Sequence, residues 1–234
     1  MLIGGSVFDA ETAAKFHRFL LVLAVLVTSF SAFLTSAKFS AGDRLLVSWL
    51  LVGAGYFLSA VRHGTRLYAY LDPSVVLPSA VNSTLAILQN VFIAVALLLF
   101  VLAWRATGLT APVSRTAQTL SILAGIAVAV LVGGYPLMNA LSTRTTDPIQ
   151  LISTLGDIVG LSLIVPLALP ALAMRGGLLM HTWIYLAGSE VAWLFYDLWW
   201  AVQPKSTPTV EAFRLAAVLL AFIATKAQRR AMRA

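Results

Sequence analysis

The sequence predicts an all-α fold, an integral membrane bundle of seven transmembrane helices. Three observations carry that expectation. Of the 234 residues, 60% are hydrophobic and 11% are charged, against about 25% charged in a soluble domain. Mean hydropathy is +0.91, too apolar for a soluble fold of this length to cover with polar surface. Seven runs approach the roughly 20 apolar residues that cross a bilayer, and none alternates like a membrane β-strand.

The first run is Phe19–Ala37. Residues 7–18 before it read as an amphipathic helix on the membrane surface, anchored by Phe8, Phe16 and Phe19. Asp9 and Glu11 mix with Lys15 and Arg18 there, so a cleaved signal peptide is not expected. Ser40–Ala41–Gly42–Asp43 turns the chain into the second run, Arg44–Arg62. A link carrying Asp72–Pro73 and Pro78 leads to the third, Val81–Arg105. Thr107–Gly108 and Ala111–Pro112 break it from the fourth, Thr116–Leu141. Asp147–Pro148 precedes the fifth, Gln150–Met174, where Pro166 and Pro170 predict a kink. Arg175–Gly176–Gly177 is a tight turn into the sixth, Leu178–Val202. The seventh is Val210–Ala227, followed by a basic tail over residues 228–234. No connection is long enough to fold alone, so residues 1–234 read as one domain.

Seven crossings place the two ends of the bundle on opposite sides. With the N-terminus outside, seven Lys and Arg lie outside and nine lie inside. The concentrated tail from Lys226 to Arg233 adds to a cytoplasmic C-terminus. The expected location is a bacterial cytoplasmic membrane. The net charge of +7 comes from basic residues at the ends of apolar runs, where they meet lipid phosphates. Membrane lipids are therefore expected partners, and nucleic acid is not.

Cysteine is absent, which removes disulfides, thiolate metal sites and cysteine nucleophiles. No HExxH, GxSxG, Walker or GxGxxG arrangement occurs. His17, His63 and His181 show no metal-ligand spacing and read as interfacial. Lys226 is too close to Arg229 and Arg230 for a mid-membrane retinal linkage. No cofactor, metal or catalytic residue is expected, and the chain does not read as an enzyme.

Ionisable groups inside a bilayer are costly and mark function by default. Asp157, Glu190 and Asp197 qualify, with Glu190 and Asp197 spaced to share nearly one helix face. Tyr56 and Tyr135 fall in the same outer half. The expected ligand-binding site is an outward-opening polar pocket lined by Asp157, Asp197, Glu190, Tyr56 and Tyr135, with Trp193 in its aromatic wall. The same acids also serve as hydrogen-bonded packing groups in many bundles, and the Trp cluster as an interfacial belt. Asn82, Gln89 and Asn90 read as helix–helix hydrogen-bonding groups, and Gly156 with Gly160 as a packing pair.

Asp157, the Arg175–Gly176–Gly177 turn, then Trp183, Gly188 and Asp197 form a pattern over about 70 residues, with Tyr135–Pro136 upstream. This C-terminal third resembles the multi-helix membrane sensory regions that precede bacterial histidine kinases and diguanylate cyclases. The resemblance implies a seven-helix input module that senses a ligand or the membrane state. No kinase, cyclase or linker coiled coil accompanies it here, so signalling through a separate partner is expected.

Three functions follow as expectations. The first is a non-enzymatic ligand-binding or sensory module with a lipophilic or small polar ligand. The second is an accessory subunit of a larger membrane complex. The third is a proton-coupled transporter or channel using Glu190 and Asp157.

Overall fold

The computed structural model describes residues 10–106, 114–142, 155–156, 158–160, 162–163, 177–202 and 208–233. The described residues are all-α, with no strand. Helix α1 spans Ala10–Ser36, α2 Arg44–Leu71, α3 Ser79–Ala106 and α4 Arg115–Ser142. Helical residues 155–156, 158–160 and 162–163 are called α5. Helix α6 spans Leu178–Val202 and α7 spans Pro208–Ala231. Within α1, α2 and α3, the stretches Glu11–Ser36, Arg44–Leu71 and Ser79–Ala103 are long and apolar enough to cross a membrane.

Three boundaries differ from the sequence reading. Helix α7 runs past Ala227 to Ala231. Residues 10–18 are continuous with α1 rather than a separate surface helix. Helix α2 runs past Arg62 to Leu71. The charged residues Arg62, His63 and Arg66 look like a helix exit in sequence, yet their companions on other helices hold them inside one. The α1–α2 turn uses Gly42 at φ +92°, where a Cβ would crowd the backbone. Asp43 then caps α2, its carboxylate accepting from Leu45 N–H at 2.8 Å.

Helices α1 and α2, α2 and α3, and α6 and α7 pack antiparallel. Ser29 on α1 donates to the Gly53 carbonyl of α2 at 2.8 Å. A Cβ on Gly53 would stand 2.7 Å from the Phe33 ring, so the glycine sets how closely α1 and α2 approach. On the opposite side of α2, Gly55 faces Ile93 of α3. Helices α6 and α7 meet through stacked Phe195 and Phe213 and through Gly188 against Leu220. Helix α4 touches α6 lightly.

Helices α1 and α7 also pack together, and they run parallel. His17 meets Glu211, Thr28 the Val218 carbonyl, Ser31 Thr225, and Thr35 the Thr225 carbonyl. Arg229 donates to Ser31 as well. The sequence separations are 190, 194 or 198, steps of one helical turn along a constant register. Trp49, Phe100 and Trp183 form edge-to-face pairs that join α2, α3 and α6 in the core, where Val25 and Val218 are also fully buried.

Candidate functional site

Tyr56 lies on the inner face of α2 and is buried. Its hydroxyl is 3.5 Å from Ser189 Oγ on α6, and the Trp193 indole is within hydrogen-bonding reach. Ser189 itself donates to the Ala217 carbonyl of α7 at 2.8 Å. Donors and acceptors then fall into one order. Ser189 spends its proton on the Ala217 carbonyl, so Tyr56 O–H donates to Ser189. This chain ties α2, α6 and α7 together inside the bundle, where each bond polarises the next.

Glu190 follows Ser189 on α6 and lies close to Tyr56. A Cβ on Gly160 would stand 3.0 Å from Glu190 Oε2, so α5 presents its barest surface to this carboxyl. Gly156 does the same for Asn90 of α3. The two glycines therefore pack as a small-residue pair against polar side chains.

One turn beyond Trp193, Asp197 sits half-buried beside Tyr196. Trp193 and Tyr196 make an edge-to-face pair with centroids 5.7 Å apart. Of the six residues expected to bind a ligand, Tyr56, Glu190, Trp193 and Asp197 thus gather along α2 and α6. Asp157 lies outside the described residues. Tyr135 is placed on α4, and its side chain lies outside the described set.

Above Tyr56, toward the start of α1 and the end of α2, lies a charged cluster that the sequence reading did not assemble. His17 Nε2 is 2.9 Å from Glu211 Oε2, and Arg214 Nη2 pairs with the same oxygen. Glu211 is only 8% exposed. Arg214 also lies over the Tyr196 ring, 5.5 Å from its centroid. From α2, Arg62 donates Nε–H to Asn82 Oδ1 of α3 at 3.0 Å. Arg62 feels the charges of Arg66, Asp197 and Arg214. His63 feels Arg214, Arg62, Arg66 and Glu211. His17 and His63 are therefore part-buried members of a charge network.

Ser59 links the two regions. It lies one turn from Tyr56 and one turn from His63 on the same face of α2. It is 1% exposed, and its hydroxyl has no partner among the described residues. Arg214 Nε is likewise buried without an acceptor among them. The only sequence signal for this cluster was the recurrence of Arg and His at 62, 63 and 66, which read as a helix end. Among the described residues no three His, Asp or Glu gather as a metal would require.

No family model, curated protein or solved structure matches the chain.

Proposed function

We propose that this protein is a non-enzymatic membrane module of seven transmembrane helices that binds a ligand and acts as a sensor. The reading rests on one observation, the Tyr56–Ser189–Ala217 hydrogen-bond chain lying beneath the charged cluster. An occupant beside Tyr56 exchanges bonds with that chain and shifts α2 relative to α6 and α7, which gives binding a structural output. The parallel pairing of α1 with α7 supports an odd number of crossings. The basic residues Lys226, Arg229, Arg230 and Arg233 favour a cytoplasmic C-terminus in a bacterial inner membrane, with the charged cluster outside. Lipids surround the bundle, and a separate membrane protein receives the signal.

Native mass spectrometry tests this on protein taken from its own membrane in lipid nanodiscs. A single discrete small-molecule mass, lost in Tyr56→Phe or Asp197→Asn, is the expected result. A chain without that mass but with other polypeptides at fixed ratio replaces this reading with the accessory-subunit one.

Glu190 favours a second reading. It lies in the bundle interior with no ion pair among the described residues, as a proton carrier does. Proton-coupled uptake into reconstituted vesicles, abolished by Glu190→Gln, is its signature.

A further inference from the structure

At about 1.5 Å rise per residue, Arg44 and Arg62 lie about 27 Å apart along α2. A bilayer's hydrocarbon core is about 30 Å thick. With Arg44 at one boundary, Arg62 reaches the other, at the depth of lipid phosphates. His17, His63, Arg214 and Glu211 share that level through their contacts.

The cluster favours an anion. Arg62 lies near enough to Arg66 and Arg214 to be repelled by both. Against these three guanidinium groups, the described acids facing them are Glu211 and Asp197, and Glu211 already serves both His17 and Arg214. The two buried groups left unsatisfied, Arg214 Nε and Ser59 Oγ, can both donate. Each lacks an acceptor among the described residues, and an anion with several oxygens can serve more than one donor at once. A planar guanidinium fork matches an oxyanion better than a point charge does.

We propose that Arg62, Arg214 and Ser59 form a binding site for a phosphate group. The inference deepens the ligand-binding reading and rests on it, naming the chemistry that the ligand carries at the mouth of the bundle. The phosphate belongs to a phospholipid head group entering from the bilayer or to a soluble phosphorylated compound. Both present the same oxygens to the same donors.

Two measurements on the purified full-length chain separate these sources. The first titrates inorganic phosphate into delipidated protein in detergent and follows heat and Tm. The second counts phospholipids retained by native mass spectrometry after release from phosphatidylglycerol nanodiscs. Saturable phosphate binding points to the soluble source. One retained phospholipid without phosphate binding points to the lipid. Either is expected to weaken at least about tenfold in Arg62→Gln, the worth of one charged hydrogen bond. Arg230→Gln, on the exposed tail, leaves it unchanged. Ser59→Ala weakens binding without lowering the Tm of the ligand-free protein, because it removes a hydroxyl with no described partner. That variant keeps the test open if Arg62→Gln does not fold.

The proposal fails if neither measurement detects binding. It fails equally if a folded Arg62→Gln or Ser59→Ala binds as the unaltered protein does. If a discrete ligand without phosphate persists in the native-membrane experiment, the phosphate site alone is lost. If no ligand of any kind appears, the ligand-binding reading falls with it.

Discussion

His17 Nε2 lies 2.9 Å from Glu211 Oε2, which joins the first turns of α1 to the first turns of α7. The same carboxylate oxygen receives Arg214, so one acid holds two bases from two helices. In Glu211→Gln, Arg214 keeps its charge in a largely buried position without a counter-charge on that oxygen. The expected loss is about 3 kcal/mol of stability, the usual cost of breaking a buried pair on one side. Unfolding in detergent micelles measures it. A double-mutant cycle with His17→Ala should show the two losses falling short of additive, and simple additivity would mean the pair does not couple.

Two glycines on α2 predict opposite responses to the same change. Gly53→Ala drives a methyl into the Phe33 ring and should cost about 1–3 kcal/mol. Gly64→Ala meets nothing within 4 Å and should stabilise the helix by up to about 1 kcal/mol. Thermal unfolding of both variants checks the contrast. Equal effects would show that α1 does not approach α2 at Gly53.

Asp43 accepts the Leu45 N–H at the start of α2. Asp43→Ala should cost about 1 kcal/mol, and Asp43→Asn should keep most of the cap. Amide exchange at Leu45 reads the difference locally, independently of global stability.

The turn after α2 carries its own titration. The Ser74 hydroxyl and the Ser74 N–H both donate to Asp72, at 2.6 and 3.0 Å, and hold its carboxyl below the ordinary value. A depressed carboxyl pKa stabilises the folded turn above the unfolded pKa, and that contribution fades as pH falls through the folded value. In Ser74→Ala the Asp72 titration should move up toward an ordinary carboxylate while the backbone bond keeps part of the shift. Carbon NMR of the carboxyl follows it, and an unmoved titration would remove the hydroxyl from the account.

The helices were legible because apolar length and turn residues are local properties. Leu178–Val202 matches α6 at both ends, and the other long described spans agree within a few residues except at the start of α1, the end of α2 and the end of α7. The end of α2 was misplaced because Arg62 and His63 are polar for a tertiary reason, not a local one. Tyr56, Glu190, Trp193 and Asp197 stand out in the sequence because polar groups are sparse in an apolar chain. The bond of Tyr56 to Ser189 was not visible, since nothing local distinguishes this serine from those that bond their own helix. The His17–Glu211 pair was also out of reach. Its members stand 194 residues apart, and each reads alone as a helix-end residue.

The parallel seam between α1 and α7 sets an order on biosynthesis. Thr28, Ser31 and Thr35 lie on one face of α1, and their partners lie on α7, which emerges later. While the intervening segments are being made, that hydroxyl face has no α7 to meet. Thr28 and Thr35 can turn to the carbonyls of Ala24 and Ser31 within α1, and each makes that bond in the finished protein. The hydroxyls thus tolerate the wait for a late partner better than amides or charges would. Pairing with α7 is then the step that gives this hydroxyl face its interhelical partners.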